Sequence, residues 1–384
     1  MIETKFKQTE IGPIPEDWKV SSLRDVGEIK MCKRVLKFQT SDKGDIPFYK
    51  IGTFGKVADA YISRELYEEY LQKYNYPKKG DILLSAAGTI GRTVVFDGKP
   101  SYFQDSNIVW INNDESLILN SLLYYMYDRV SWVTESGTIP RIYNGIVHSI
   151  KFAHPTSLVE QEKIAKALSD VDALINELGE LIAKKRDIKR GTMQQLLTGK
   201  KRLPGFTDEW KEQTLDDICS LSKGTQLNSS KMNDRGLYPV FNGGIAPSGY
   251  FTEYNTGANT IIISEGGNSC GFVNYVKEPF WRGGHCYALS NTSIDEVLLY
   301  HILKFNEASI MALRTGSGLP NIKKSTLANF CLKSPQSISE QQAIATILTD
   351  MDDGIQALEA KRDKYTAIKQ GMMQELLTGK IRLV

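Results

Sequence analysis

The sequence predicts an α+β protein in which two globular domains of mixed α/β structure are separated by two long antiparallel helices, paired as a coiled coil. A segment of 44 residues occurs twice without a gap, at residues 160–203 and 340–383, with 22 identical pairs. Apolar residues recur three and four apart in both copies, which is typical of coiled-coil helices. The intervening stretches are rich in β-branched and aromatic residues punctuated by glycine, which predicts strands and turns.

The repeat divides the chain into four predicted parts. A chain of 384 residues is long enough for two to three domains. We expect a first domain at residues 1–156, a first helix at 157–203, a second domain at 204–336 and a second helix at 337–384. The apolar runs at 81–85 and 260–264 predict one buried strand in each domain.

Both repeat helices carry a start signal. Ser157 with Glu160, and Ser337 with Glu340, fit the capping box, in which the serine hydroxyl and the glutamate carboxylate each accept an amide hydrogen at the helix N-terminus. The apolar residues at coiled-coil spacing are the expected helix-packing residues. They are Leu168, Val171, Ile175 and Leu178 in the first helix, and Leu348, Met351, Ile355 and Leu358 in the second.

Four glycines lie at matched positions of the two helices. Gly199 and Gly379 follow the last apolar residues, where glycine adopts the left-handed conformation that ends a helix. Gly191 and Gly371 lie inside the helices, where glycine costs about 1 kcal/mol relative to alanine. A cost present in both copies suggests that another backbone approaches closely. We therefore assign Gly191 and Gly371 to helix crossing or to docking of a partner.

The repeat continues beyond its first copy in an unexpected place. The residues PGFTDEWK follow the first copy at 204–211, whereas the counterpart for the second copy, PIPEDWK, stands at residues 13–19. The duplication is therefore circularly permuted, because the first residues of the chain complete the second repeat unit. This arrangement predicts pseudo-twofold symmetry and termini that lie close together.

The composition predicts a soluble cytoplasmic protein that does not associate with membranes. Hydrophobic residues make up 41% and charged residues 24% of the chain, and no run approaches the ~18 apolar residues of a membrane helix. The polar N-terminus does not resemble a signal peptide. Five cysteines without metal-like spacing indicate a reduced compartment. The net charge of +2 does not by itself demand nucleic acid.

The sequence contains no motif that indicates catalysis. We find no Walker A loop, and no GxGxxG follows a predicted strand. The four histidines lack metal-ligand spacing, and no Asn-Pro-Pro-(Phe/Tyr) motif of an amino-methyltransferase is present. We therefore expect no catalytic residues, no metal and no cofactor.

Three features together resemble the DNA specificity (S) subunits of type I restriction–modification systems. They are the opening TEIGPIPEDW at residues 9–18, the MQxLLTGK helix ends, and the run GDILLS with GTIG at residues 80–91. The second domain departs from this pattern, with NTII at residues 259–262 in place of GDIL. The resemblance implies two target-recognition domains, each reading half of a bipartite sequence in double-stranded DNA. It also implies that the helices set the gap and dock two methyltransferase (M) subunits, which supply the chemistry. Whether restriction (R) subunits join the assembly is left open by the sequence.

The resemblance also directs attention to side chains that could read DNA. Arginine and lysine recognise guanine, asparagine and glutamine recognise adenine, and any donor can bind phosphate. The candidate DNA-binding residues are Lys33, Arg34, Lys50, Arg92, Gln104, Asn107 and Arg141 in the first domain, and Lys231, Asn242, Arg282, His285, Arg314, Asn321 and Lys323 in the second.

Two alternative functions remain open at this level. A stand-alone DNA-binding regulator would bind its sequence tightly without a partner. A structural coiled-coil adapter would lose function when Leu178 or Leu358 is disrupted, but not when the domain loops are changed.

Overall fold

The computed structural model describes residues 5–88, 90–130, 132, 149–233, 236–316 and 318–384. The chain divides into two compact units. The first comprises Met1–Glu177 and Arg362–Val384, and the second comprises Leu178–Lys361. Each long helix therefore contributes residues to both units.

The first domain and the helix that follows it have these elements. The strands are β1 Phe6–Thr9, β2 Gly12–Pro15, β3 Lys19–Ser22, β4 Gly27–Met31, β5 Ile46–Tyr49, β6 Tyr61–Ile62, β7 Ile82–Ser85, β8 Thr93–Val95, β9 Tyr102–Phe103, β10 Ile108–Asn113 and β11 Lys151–His154. The helices are α1 Leu23–Val26, α2 Arg64–Lys73, α3 Asn120–Tyr127 and α4 Leu158–Leu196, with a 3-10 turn at Lys37–Gln39.

The second domain and its helix follow the same plan. The strands are β12 Lys211–Thr214, β13 Ser220–Lys223, β14 Tyr238–Phe241, β15 Tyr250–Phe251, β16 Thr260–Ser264, β17 Val273–Val276, β18 Trp281–Arg282, β19 Cys286–Ser290 and β20 Cys331–Ser334. The helices are α5 Leu215–Ile218, α6 Glu296–Phe305, α7 Glu307–Ala312, α8 Lys324–Ala328 and α9 Ile338–Leu376, with a 3-10 turn at Ser229–Lys231.

The two domains share one sheet topology. A four-stranded antiparallel sheet has the order β4-β10-β7-β8 in the first domain and β13-β19-β16-β17 in the second. A smaller sheet has the order β6-β5-β9 in one and β15-β14-β18 in the other, each with one parallel pair. The sequences resemble each other only at the domain ends, so the common fold of the middle regions is a finding of the structure.

Each domain packs its core against parts of both long helices. In the first unit, Trp18 and Leu122 belong to the same buried cluster as Leu168 of α4 and Leu376 of α9. In the second unit, the cluster includes Leu298, Leu196 of α4 and Leu348 of α9. Burial of an aliphatic side chain of this size contributes about 1.5–3 kcal/mol. The repeat helices are therefore part of each domain's core.

The helices run in the predicted antiparallel direction, but each is shorter than the predicted segments 157–203 and 337–384, because left-handed Gly199 and Gly379 lie just past the helix ends. Both α4 and α9 contain 39 residues, about 58 Å at 1.5 Å per residue. In the second unit, Arg186 pairs with Glu359 and Lys189 pairs with Asp352, so one helix runs opposite to the other. Of the predicted packing residues, Leu168, Leu178, Leu348 and Ile355 are buried, and Val171, Ile175, Met351 and Leu358 are half-buried.

The predicted capping box forms only in part. The amide of Glu160 donates to the Ser157 hydroxyl at 3.4 Å, and the amide of Glu340 donates to Ser337 at the same distance. Each glutamate carboxylate is instead bound through both oxygens by an arginine. The glutamate half of the capping box is therefore wrong, because a fully charged partner holds each carboxylate more strongly than an amide would.

The arginine contacts confirm the circular permutation. In the second unit, Arg202 binds Glu340 at 2.7 Å and lies 5.9 Å from the Trp210 ring centre. In the first unit, Arg382 binds Glu160 at 2.5 Å and lies 5.7 Å from the Trp18 ring centre. The same arginine–glutamate–tryptophan contact recurs in both units, and in the first unit it joins the last residues of the chain to the N-terminal segment.

The glycine predictions have mixed outcomes. Gly199 and Gly379 have φ angles of +68° and +70°, which confirms the left-handed caps. A Cβ atom added at Gly191 or Gly371 would meet nothing within 4 Å. Close approach of another backbone of this chain is therefore wrong for both positions, since their surroundings are open. Docking of a partner there stays a prediction.

The second domain has NTII at residues 259–262 where the first has GDIL, yet a residue just before the central strand has a positive φ in both domains. Gly80 has a φ of +94° and lies five residues before Ser85, where β7 ends. Asn259 has a φ of +57° and lies five residues before Ser264, where β16 ends. Asparagine is one of the few residues besides glycine that visit this region readily. A residue with a positive φ therefore precedes both central strands.

Candidate nucleic-acid interface

In the first domain, loops from four separate positions meet beyond the sheet. The amide of Ala86 donates to the Asn107 carbonyl at 2.8 Å, and the amide of Ile51 donates to Oε1 of Gln104 at 2.9 Å. Nε of Arg34 lies 2.9 Å from a carboxylate oxygen of Asp105. We define the first loop cluster as the described residues at 32–36, 50–56, 86–92 and 104–107.

Six predicted DNA-binding residues belong to the first loop cluster: Lys33, Arg34, Lys50, Arg92, Gln104 and Asn107. Lys33 and Arg34 are exposed, and the other four are partly exposed. Nζ of Lys50 pairs with Asp59 at 2.8 Å, and Nη1 of Arg92 donates to the Phe54 carbonyl at 2.9 Å. Arg141 lies outside the described residues. The cluster thus brings together three cationic side chains and two amides at one surface. Arg92 also belongs to it, but its guanidinium donates to a backbone carbonyl.

The second domain has a corresponding set of loops. The amide of Glu265 donates to the His285 carbonyl at 2.9 Å, and the amide of Ile322 donates to the Glu265 carbonyl at 2.9 Å. The amide of Gly267 donates to the Pro320 carbonyl at 2.9 Å. We define the second loop cluster as the described residues at 224–228, 242–249, 265–272, 282–285 and 314–323.

Six of the seven residues predicted for this domain lie in the second loop cluster: Asn242, Arg282, His285, Arg314, Asn321 and Lys323. His285, Arg314, Asn321 and Lys323 are exposed. Arg282 is half-buried and donates from Nη1 to the Ser222 hydroxyl at 3.0 Å, and burial lowers the pKa of its guanidinium. Lys231 is exposed on the separate turn Ser229–Lys231.

The strand registers align the two clusters residue by residue. Tyr49 of β5 opposes Phe103 of β9, and Phe241 of β14 opposes Arg282 of β18. Ser85 opposes Ile108, and Ser264 opposes Cys286. In the same way, Met31 opposes Val109 as Lys223 opposes Tyr287. The positions that follow from this alignment carry different side chains, with the first domain's residue given first: Arg34 and Gln226, Lys50 and Asn242, Gln104 and Gly283, Asn107 and His285.

Several polar residues of the second domain cannot be recognised as site residues from the sequence alone. Lys223 and Tyr287 face each other across β13 and β19, and Glu265 follows β16 directly. Gln226 occupies the position of Arg34. No local motif marks these residues, because their importance follows from the strand pairing. An alignment of the two domains by their sheet register would have found them.

The described residues lack a metal-binding cluster, and two buried cysteines are held as thiols. Among them, no group of three or more His, Cys, Asp or Glu side chains could hold a metal ion. Burial raises the pKa of the Cys32 and Cys219 thiols to about 12, which keeps both protonated near neutral pH. No helix in the described part of the chain is both long and apolar enough to cross a bilayer.

Two domains of one fold, each with a cluster of polar loops, define a class of protein that presents two related but different recognition surfaces. Residues 15–188 and 207–367 match the family model of the type I restriction modification DNA specificity domain. The chain belongs to this family.

Comparison with individual proteins agrees with this assignment. The crystal structure of the type I restriction–modification S subunit from M. genitalium superimposes with a TM-score of 0.72 and 20% identity, over 97% of this chain and 98% of that one. The type I restriction enzyme MjaVIII specificity subunit of Methanocaldococcus jannaschii is 24% identical over 424 residues, 99% of this chain and 97% of the relative. S.HindORF215P of Haemophilus influenzae is 59% identical over 168 residues, which span 44% of this chain and 43% of that protein.

Proposed function

We propose that this chain is the specificity subunit of a type I restriction–modification complex in the cytoplasm. Each domain contacts one half of a bipartite sequence in double-stranded DNA through its loop cluster. Two methyltransferase subunits dock on the helices and carry out methyl transfer, and restriction subunits join where the system cleaves DNA. The chain itself contributes recognition and assembly, with no catalytic step of its own.

The observation that carries this proposal is that one scaffold presents different side chains at equivalent positions. Lysine at position 50 favours guanine, whereas Asn242 at the matching position favours adenine. Asn107 and His285 form a second contrasting pair. A shared fold gives both domains the same approach to the duplex, and the different donors give them different half-sites.

The ion pairs of the first cluster leave its cations available to DNA. Arg34 is 66% exposed and Lys50 is 43% exposed, although each is paired with an aspartate. Exposed pairs of this kind contribute only ~0–1 kcal/mol. A base edge or phosphate can therefore replace the aspartate at small cost. Because phosphate contacts release counterions, binding should weaken as salt rises.

We expect that deleting the gene for this chain abolishes methylation at one split motif of two half-sites around a fixed gap. Replacing residues 212–330 with those of a relative should then change one half-site and leave the other intact, because each loop cluster lies within one domain. Single-molecule sequencing of methylated bases measures both results. Tight binding by the chain alone would favour the regulator, and an unchanged motif after the exchange would favour the adapter.

The helices offer two matched surfaces for a partner present in two copies. Ile188 is 47% exposed and lies one turn before Gly191, and Ile368 is 39% exposed and lies one turn before Gly371. Both glycines are exposed, with open space where a side chain would be. An apolar residue next to a bare stretch of backbone allows another helix to approach closely. The repetition of this pair supports docking of two M subunits.

We expect the double substitution Gly191→Leu and Gly371→Leu to weaken M-subunit binding at least tenfold without unfolding the chain. The new side chains meet no neighbour within the protein, and leucine is a better helix former than glycine by ~1 kcal/mol per site. Stability should therefore be equal or higher while docking is blocked. Native mass spectrometry of the reconstituted complex measures the stoichiometry.

The matched control is Gly354→Leu, another open position in α9. It should gain similar stability and keep two bound M subunits. An intact assembly of the double variant would exclude these surfaces.

A further inference from the structure

The two domains differ together at three neighbouring positions in or beside the loop clusters. The first domain has Met31 opposite Val109, with Ala86 directly after the central strand. Ala86 and Val109 are buried in a small apolar cluster. At the equivalent positions the second domain has Lys223 opposite Tyr287, with Glu265 after the central strand. A set of apolar residues is thus replaced by two opposite charges and a hydroxyl.

The three polar side chains of the second domain form a network around the Glu265 carboxylate. Oε1 of Glu265 accepts a hydrogen bond from Nζ of Lys223 and lies 3.2 Å from the Tyr287 hydroxyl. Burial, and secondly the Glu265 charge, raises the pKa of Tyr287, so its hydroxyl stays protonated. Its single hydrogen is shared between Glu265 and the Ile322 carbonyl, which lies at 3.0 Å. Only 14% of the Glu265 side chain is exposed. Oε1 of the Glu265 carboxylate is therefore bound by donors of the protein itself.

The other carboxylate oxygen faces His285. Oε2 of Glu265 lies 3.6 Å from Nδ1 of His285, whose side chain is 62% exposed. The backbones of the two residues are also joined, since the Glu265 amide donates to the His285 carbonyl. With Nδ1 directed toward Glu265, Nε2 is the ring nitrogen left for an external partner. A small rotation of the exposed ring would shorten the contact on binding, as is common for interface side chains.

A carboxylate at a DNA-facing surface is unfavourable for binding, because it repels phosphate. We therefore expect one there only if it has a role in recognition. Lys223 balances its charge, but an apolar residue such as Ala86 would avoid the problem entirely. His285 supplies the reason: an exposed imidazole rotates freely unless a neighbour orients one of its nitrogens. Asn107, at the same position in the first domain, lies beside Ala86 and has no such carboxylate.

We infer that Glu265 is a positioning residue for base recognition, which orients His285 so that Nε2 reads one base of the second half-site. This inference rests on the proposed function. Lys223 and Tyr287 hold the carboxylate in place, and Lys223 also contributes charge toward phosphate.

The test uses the complete complex of this chain with its M subunits to methylate a randomised DNA library, followed by sequencing of the methylated products. The variants are Glu265→Ala, which introduces the residue found in the first domain, and His285→Ala. Glu253→Ala, which removes an exposed carboxylate of the same domain outside the second loop cluster, is the matched control. We expect Glu265→Ala and His285→Ala to lower the base preference at the same single position of the second half-site by roughly tenfold. Glu253→Ala should keep the motif.

Relaxation by Glu265→Ala at the same position as His285→Ala supports the inference. An unchanged motif, relaxation at another position, or equal loss at every position of the half-site overturns it, since the last result marks a role in folding the loop. Thermal unfolding of each variant identifies that case independently. If the unaltered complex methylates without any split motif, the proposed function itself fails, which is a separate result from the behaviour of Glu265→Ala.

Discussion

Substituting Arg382 by alanine is expected to destabilise the first unit by about 3–5 kcal/mol, because it leaves the buried carboxylate of Glu160 without a partner. Glu160 is only 2% exposed, and Arg382 binds both of its oxygens. Arg382 also binds Asp17 at 2.6 Å. The hydrogen bonds to Glu160 and Asp17 raise the pKa of Arg382 above its ordinary value, so the guanidinium stays charged. Urea unfolding measures the loss.

Two substitutions serve as controls for the arginine prediction. Arg202→Ala removes the matching partner of Glu340, which is 1% exposed, and should cost a similar amount in the second unit. Arg186→Ala removes a 61% exposed arginine paired with Glu359 and should cost less than ~1 kcal/mol. A loss below ~1 kcal/mol for Arg382→Ala would mean that water replaces the guanidinium and that the pair is not structural.

Because of His301, the free energy of unfolding of the parent protein should fall by up to ~3 kcal/mol between pH 6.5 and about 4. Substituting His301 by tyrosine is expected to abolish this decrease. Burial lowers the pKa of His301 to about 4, since the side chain is 2% exposed. The unfolded chain therefore binds a proton in this range that the folded chain does not. The stability contributed by neutral His301 is fully present above pH 6.5 and decreases as the pH falls toward 4.

Tyrosine is the informative replacement because the first unit already carries it. Tyr125 occupies the position of His301 and donates to Asp172 at 2.9 Å, and Lys369 pairs with the same aspartate at 2.7 Å. In the second unit, Asp352 and Lys189 are the matching residues and Nε2 of His301 lies 3.3 Å from the Thr349 hydroxyl. A tyrosine hydroxyl at position 301 would therefore have the Asp352 carboxylate as its acceptor.

Unfolding curves of the parent and His301→Tyr proteins at several pH values measure the difference between them. Taking the difference removes the contribution of His154, whose pKa burial also lowers. Parallel stability–pH curves for the two proteins would show that His301 does not control this range.

The repeat made the helical part of this fold predictable. The helix starts and the glycine caps follow from matching residues at a constant offset of 180, as between Glu160 and Glu340. The link between the chain ends follows from the counterpart of residues 204–211 at residues 13–19. The partners of Glu160 and Glu340 differ from the predicted capping amides, because the sequence indicates only donors within the same helix. Arg202 and Arg382 reach them only after the chain has folded back.

Residue type predicts which side chains could contact DNA, but it does not predict which of them lie together on one surface. Their residue types mark Lys50, Asn107, Asn242 and His285 as donors, yet the equivalence of Lys50 with Asn242 and of Asn107 with His285 depends on strand register. The two domains have divergent middles, so no local sequence match reveals a shared sheet. The sequence does not mark Glu265 for the same reason, since its partners Lys223 and Tyr287 lie on other strands.

The sequence alone determined the duplication, its permuted order, the two long helices and the absence of recognisable catalytic motifs. These properties are local or repeat at a fixed spacing, and helix formation depends on contacts three or four residues apart. Only the tertiary structure decided that both domains have one topology, that open space surrounds Gly191 and Gly371, and which side chains share each loop cluster. Those properties arise from pairing between strands distant in the chain, where a shift of one residue would turn every side chain to the opposite face.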